Sequence, residues 1–193
     1  MPSAAASNVS MAFGLKGPTF ATSSACASSA HAIVEATHWL RLGVVDAMVA
    51  GGVEAAFALG AMAAWRSLHI LAPDTCRPFS LGRKGLVMGE GAACLVLERL
   101  ESAQARGAEI LAVLAGFGVT ADAGHIVKPD RDSIIRTIRL ALADAGVATE
   151  EIGYVNAHGT GTQLNDAVES AALQAVFGDG RVPVTTSTKA ATG

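Results

Sequence analysis

"TSSACASSAHAI", residues 22–33, puts one cysteine among serines and alanines just where a helical pattern begins. Upstream, "GPTFATSSA" (17–25) mixes Thr, Phe and Ser and predicts a short strand ending near Ala25. Downstream, Ala30, Ile33, Val34 and Leu40 fall near helical spacing, which predicts a helix over 26–42 with Gly43 as its stop. Cys26 therefore lies at a strand-to-helix junction. Backbone N–H groups point at the sulfur there, and the helix dipole favours negative charge. Both favour the thiolate, the reactive form of cysteine. The small neighbours leave room for a group carried on sulfur. The competing reading is a small buried core cysteine, which residue type alone leaves open.

Working outward, strands and helices alternate. "DAMVAGGVEA" (46–55) and "GAACLVLERL" (91–100) are apolar strands, and "ESAQARG" (101–107) is a short helix. "EILAVLAGFGVTA" (109–121) predicts a long strand. "DRDSIIRTIRLALADAG" (130–146) predicts an amphipathic helix with Ile134, Ile135, Ile138, Leu142 and Ala145 on one face and Gly146 as its cap. "IGYVNAHG" (152–159) is a strand entering a loop. "NDAVESAALQAVFG" (165–178) is a helix with Asn165 as a candidate N-cap, and "VPVTTST" (182–188) is a last strand. Residues 66–90 form a longer loop. The alternation predicts a layered α/β sheet, in keeping with a chain half hydrophobic and only 16% charged.

Charge excludes some classes. A net charge of −3 without a basic stripe argues against nucleic-acid binding. Cys26, Cys76 and Cys94 are an odd number at wide spacings, neither a disulfide framework nor a zinc pattern, so no metal is expected and the chain reads as reduced and cytoplasmic. The start lacks a signal peptide pattern. The longest charge-free run, 17–34, is rich in Ser and Thr and does not read as a membrane span. Cys94, inside an apolar strand, and Cys76 are expected to be inert.

Two further segments carry chemistry. In "YVNAHGTGTQLNDAVE" (154–169) a histidine at a strand end precedes alternating glycines and threonines. The glycines let a ligand approach the backbone, and Thr160 and Thr162 offer hydroxyls. In "TTSTKAATG" (185–193), Lys189 follows a strand of small polar residues. It is expected to be buried and paired with Asp166 or Glu169.

Together, "GPTFATSSACASSAHAI", "VNAHGTGTQLND" and "STKAATG" resemble the β-ketoacyl-acyl-carrier-protein synthases, elongating condensing enzymes of the thiolase-like superfamily. "AGGVEA", "RPFSLGRKGLVMGEGAACLVLE" and the Gly-Tyr-Val before His158 add to the likeness, which runs in order over essentially the whole chain. The resemblance implies a thiolase-like layered fold, α-β-α-β-α in the parent and here a partial copy. It implies a single partial condensing-enzyme domain over 1–193, with the end of the N-terminal half from 1 to about 100 and the start of the C-terminal half from about 108 to 193. Cys26 would be the nucleophile that accepts an acyl chain, and its N–H half of the oxyanion hole. His158 would assist malonyl decarboxylation by hydrogen-bonding the enolate oxygen. Lys189 would order the histidine network, Asp166 and Glu169 would hold that lysine and loop, and Thr160 and Thr162 would contact the pantetheine arm. No cofactor is implied, since the phosphopantetheine arm arrives on the carrier protein. The implied partners are acyl-carrier protein and a second copy, pairing through Thr19–Ser24.

The chain also departs from the family pattern. The family's second histidine would directly follow the position of Gly193, and the gate loop would lie further on, so an internal fragment of a longer synthase is expected, itself inactive in condensation. Ser80 replaces a usual aspartate and Leu86 a usual phenylalanine, which leaves the substrate branch open. Two alternatives stay open: a non-catalytic partner subunit resembling chain-length factors, and a thiolase. A thiolase would need a second catalytic cysteine, for which Cys76 and Cys94 have the wrong context. His31 and His38 are expected to pack or face solvent, His69 has no visible partner, and His125 is a candidate for substrate contact.

Overall fold

A computed structural model describes residues 1–193. The chain divides into two compact units, Met1–Glu54 with Gly91–Leu114, and Ala55–Glu90 with Ala115–Gly193.

The first unit holds α1 (Ala4–Phe13), α2 (Ser28–Arg41), β1 (Ala47–Glu54), β2 (Gly91–Glu98) and α4 (Leu100–Ala105). β1 and β2 pair antiparallel, with Ala50 opposite Leu95 and Gly51 opposite Cys94. α2 packs on β1, and Val34, Ala36, Leu40 and Ala50 are its buried contribution. Side chains alternate between the faces of a strand. Val49, Val53 and Val96 therefore share the face opposite Ala50, and all three are exposed. Cys94 lies within the apolar strand β2 as expected; cross-strand from Gly51, it is on this same face and is exposed. Residues 4–13, for which no element was expected, are helical.

The second unit holds α3 (Leu59–Ser67), α5 (Arg131–Ala145), β3 (Tyr154–Asn156), α6 (Gln163–Phe177), β4 (Val184–Thr186) and α7 (Lys189–Thr192). β3 and β4 pair in parallel, and α6 is the crossover between them. α5 packs on α6 over Ile135, Ala172, Leu173 and Phe177. In open α/β sheets, ligands gather beyond the carboxyl ends of parallel strands. Here residues 157–162 leave one such end and residues 187–193 the other.

Two expected strands do not form. Residues 17–25 and 109–121 belong to no ladder. A strand is a pairing, and neither segment finds one in this chain. Residues 116–121 are instead held against α5: Phe117 donates its N–H to Asp144, and Arg136 donates to the carbonyl of Ala121 at 2.7 Å. The supposed loop at 66–90 begins inside α3 and contributes one parallel bridge, Leu71 with Leu86.

α5 shows how local chemistry bounds an element. Asp130 at the N-cap accepts the N–H of Ser133 at 2.8 Å, and Gly146 in the left-handed conformation ends the helix. That N–H bond holds the Asp130 carboxyl below its ordinary range. The cap is therefore present above the ordinary aspartate pKa and is lost as pH falls through the lowered one. Asp130→Ala should lower the melting temperature by a few degrees at neutral pH, with less effect in acid. Asp130→Asn, an equally good cap, should stay near wild type at neutral pH, as thermal unfolding followed by circular dichroism will report.

Candidate active site

In the first unit the cysteine turn is built from hydroxyls. Ala25–Ala27 form a 3-10 turn that runs into α2. Ser28 Oγ accepts the N–H of Ser24 at 2.9 Å and donates to the carbonyl of Ala25 at 2.7 Å. Thr22 Oγ1 donates to the carbonyl of Ser28 at 2.9 Å, and Ser24 Oγ pairs with His31 Nδ1 at 2.6 Å. Ala25 has φ of 51°, a left-handed backbone that costs a non-glycine residue of order 1–2 kcal/mol. The N–H of Ala27 bonds the carbonyl of Ser24, whereas that of Cys26 has no partner in the chain. Cys26 itself is exposed, which removes the buried-core reading.

In the second unit, "HGTGT" folds over the start of α6. Glu169 accepts the N–H of His158 at 2.7 Å and that of Gly159 at 2.8 Å. Asp166, 1% exposed, accepts from Gly161 at 3.2 Å and from the N–H of Phe79 at 2.7 Å. Gly161 has φ of 72°, and a Cβ there would meet the carbonyl of Gly85 at 2.7 Å and Cys76 Sγ at 3.0 Å, so the motif needs glycine both for its backbone and for space. Ser187 Oγ donates to the carbonyl of His158 at 3.3 Å, tying the two strand ends together. The hydroxyls of Thr160 and Thr162 lie 2.8 Å apart. Cys76 is buried beneath, its thiol 3.4 Å from the carbonyl of Thr160, and burial pushes that thiol up.

His158 is exposed, yet the atoms packed around its ring desolvate it in part. That desolvation, followed by the charge of Lys189, lowers its pKa below the ordinary histidine value; Glu169 and Asp166 act in the opposite direction. His158, Thr160, Thr162, Asp166, Glu169 and Lys189 thus come together in one unit, while Cys26 belongs to the other.

Several expectations need correction. Lys189 is half-buried and makes no ion pair with Asp166 or Glu169, because backbone N–H groups and Asn165 already occupy those carboxylates. Asn165 is not the N-cap of α6. The helix starts earlier, at Gln163 with Thr162 as its N-cap, and the Asn165 amide instead bonds Asp166 at 3.2 Å and Glu169 at 3.3 Å. His31 does more than pack, since it holds Ser24. His125 is exposed and its Nδ1 accepts the N–H of Val127 at 3.2 Å, which leaves its candidate substrate contact a proposal.

Arg83 escaped the sequence reading. It donates to the carbonyls of Ser80, Thr162 and Gln163, and Gln163 donates back to the carbonyl of Arg83 at 2.8 Å. Its signal was an arginine inside a glycine-bounded loop, "GRKG", which composition alone marks as solvated. No group of three or more His, Cys, Asp or Glu converges as metal ligands, and no helix is long and apolar enough to cross a membrane.

Two measurements probe this geometry. Glu169→Gln puts an amide N–H₂ where one of two N–H donors must be accepted. A cost of about 1–3 kcal/mol is expected in urea unfolding, the usual penalty for an unsatisfied buried donor. The lowered pKa of His158 means that the unfolded chain binds its proton first. Stability should therefore fall as pH drops below the ordinary 6.5 and until the lowered value is passed. His158→Gln should flatten that part of the stability–pH curve.

Comparison with known proteins accords with these features. Residues 1–103 match the family described as Beta-ketoacyl synthase, N-terminal domain, and residues 111–193 match Beta-ketoacyl synthase, C-terminal domain. Nodulation protein E of Rhizobium meliloti is 52% identical over 179 residues, covering 93% of this chain and 45% of that protein. The 3-oxoacyl-[acyl-carrier-protein] synthase 2 of Staphylococcus aureus is 42% identical over 201 residues, covering 100% of this chain and 50% of that protein. A chain of the solved AntDE:AntF complex, a type II PKS acyl-carrier protein with its ketosynthase bound to the hexaketide, superposes with a TM-score of 0.93 at 34% identity, over 99% of this chain and 49% of that one. The chain spans about half the length of the curated relatives it matches. The expected thiolase-like layered α/β fold is therefore present as a partial copy. From its exposed cysteine turn to its carboxylate-held "HGTGT" loop, this chain belongs to the beta-ketoacyl synthase family.

Proposed function

We propose that the protein carrying this chain is a 3-oxoacyl-[acyl-carrier-protein] synthase, an acyltransferase of fatty-acid or polyketide-like synthesis. The observation that carries this reading is Cys26: an exposed thiol on a pinned turn, with its own N–H left unpartnered. In the first half-reaction the Cys26 sulfur attacks a carrier-bound acyl thioester. A new C–S bond forms, the carrier C–S bond breaks, and the thiol proton ends on the carrier thiol. We assign the free N–H of Cys26 to stabilising the oxyanion of that step.

In the second half-reaction malonyl-carrier protein loses carbon dioxide. The enolate carbon attacks the acyl-cysteine carbonyl, a C–C bond forms, the C–S bond to Cys26 breaks, and the thiolate takes a proton from solvent. We assign His158 to hydrogen-bond the enolate oxygen, Lys189 to tune that histidine through its charge, and Asp166 and Glu169 to hold the loop. Thr160 and Thr162 are assigned to the pantetheine arm. No free cofactor enters, because the phosphopantetheine travels on the carrier protein. The N–H groups of residues 19–23 have no acceptor in the chain, which supports pairing of this edge with a second copy in a homodimer. Three free cysteines support a reducing, cytoplasmic setting.

The test supplies acyl- and malonyl-carrier protein and follows the acyl-enzyme, carbon dioxide and 3-oxoacyl product separately. Cys26→Ala should form no acyl-enzyme. His158→Ala should lower carbon dioxide release by about a hundredfold to a thousandfold, more than it lowers acylation. Normal condensation by Cys26→Ala would overturn the assignment.

A further inference from the structure

The hydrogen bonds around Cys26 form a closed set, and one member lies outside the turn. Ser24 opens the 3-10 turn, and its hydroxyl reaches His31 at the end of the first turn of α2. Its N–H is held by Ser28 Oγ, which in turn donates to the carbonyl of Ala25. Thr22 ties the approach to the same helix through the carbonyl of Ser28. Ala25, between Ser24 and Cys26, sits at φ of 51° with no glycine to ease it. Such a conformation persists only where its surroundings over-determine it. If Ala25 relaxed to negative φ, the following peptide would turn and the unpaired N–H of Cys26 would point elsewhere.

We infer that Ser24 and His31 form a latch that holds Ala25 left-handed and thereby aims the Cys26 N–H at the oxyanion formed on sulfur-bound acyl groups. His31 is then a positioning residue acting through Ser24, and the inference rests on Cys26 being the nucleophile. The latch affects one chemistry and spares another. Attack on a thioester builds negative charge on oxygen and needs the aimed N–H. Alkylation by iodoacetamide builds none there and needs only an accessible thiol. Loss of an oxyanion donor costs a hundredfold or more, so a misaimed one should cost about tenfold.

The experiment uses the full protein that carries this chain with two probes, an acyl thioester of N-acetylcysteamine and iodoacetamide. Adducts on Cys26, Cys76 and Cys94 are timed by peptide mass spectrometry. In His31→Ala, acylation of Cys26 should fall about tenfold while its alkylation stays within about twofold. Ser24→Ala should do the same, and the double variant should add nothing further, as expected for two residues in one interaction. His31→Asn, whose amide can replace Nδ1 as donor or acceptor, should recover most of the acylation. Unchanged acylation in His31→Ala would overturn the latch, and so would a failure of Asn to rescue. Parallel loss of acylation and alkylation, or new labelling of buried Cys76, would overturn it too, by reducing His31 to a purely structural residue. Preferential acylation of Cys94 in the unmodified chain would instead overturn the nucleophile assignment, and the latch with it.

Discussion

Two carboxylates on one helix face organise the second unit. Asp166 and Glu169 are three residues apart on α6, a spacing that sets them side by side. Both are buried. A buried carboxylate is costly unless its oxygens are satisfied. Here the satisfaction comes from the N–H groups of His158, Gly159 and Gly161, joined by Phe79 and the Asn165 amide. The same bonds that make the acids tolerable therefore fix the backbone of the loop. His158 inherits its position from its own main chain, while its imidazole makes no hydrogen bond within the chain.

This arrangement explains why Lys189 stands apart. A lysine near two acids would ordinarily pair with one of them. The acids are already occupied by backbone N–H groups and the Asn165 amide, and Arg83 Nε lies 3.9 Å from Asp166 Oδ2, so the acids have partners without the lysine. The charge of Lys189 instead acts through space on His158, in the same direction as desolvation. A histidine kept neutral near neutral pH offers one donor and one acceptor nitrogen, which suits a hydrogen-bonding role toward an enolate oxygen.

How far these features could be read beforehand depended on the range of the interaction. α5 was legible because its apolar spacing, its capping Asp130 and its terminal Gly146 are all local. β1 and β2 were legible as apolar runs, yet the exposure of Cys94 was not, because nothing local says which face of a ladder α2 covers. The strands expected at 17–25 and 109–121 failed for a related reason: strand propensity describes a segment, whereas a strand requires a neighbour. Within the site, the residue types of "HGTGT" and the acids on α6 announced themselves. Arg83 did not, since its three carbonyl acceptors come from residues 80, 162 and 163, two of them far along the chain. The pairing of Ser24 with His31 was hidden by a seven-residue separation that crosses from a turn into a helix.

The two loops solve one physical problem in opposite ways. Around His158, carboxylates take up the N–H groups on either side, so the backbone is spent on rigidity and the side chain does the chemistry. Around Cys26, hydroxyls hold the N–H of Ser24 and the carbonyl of Ala25, and the neighbouring Ala27 N–H is taken by the turn itself. The N–H groups of Ala25 and Cys26 are left without acceptors, and that of Cys26 sits beside the thiol that would carry an acyl group. Hydroxyls suit this turn better than carboxylates would, since a fixed negative charge there would oppose both the thiolate and the developing oxyanion. The serines and alanines around Cys26 are therefore more than small: they are neutral acceptors and donors that can pin a strained turn without adding charge beside the sulfur.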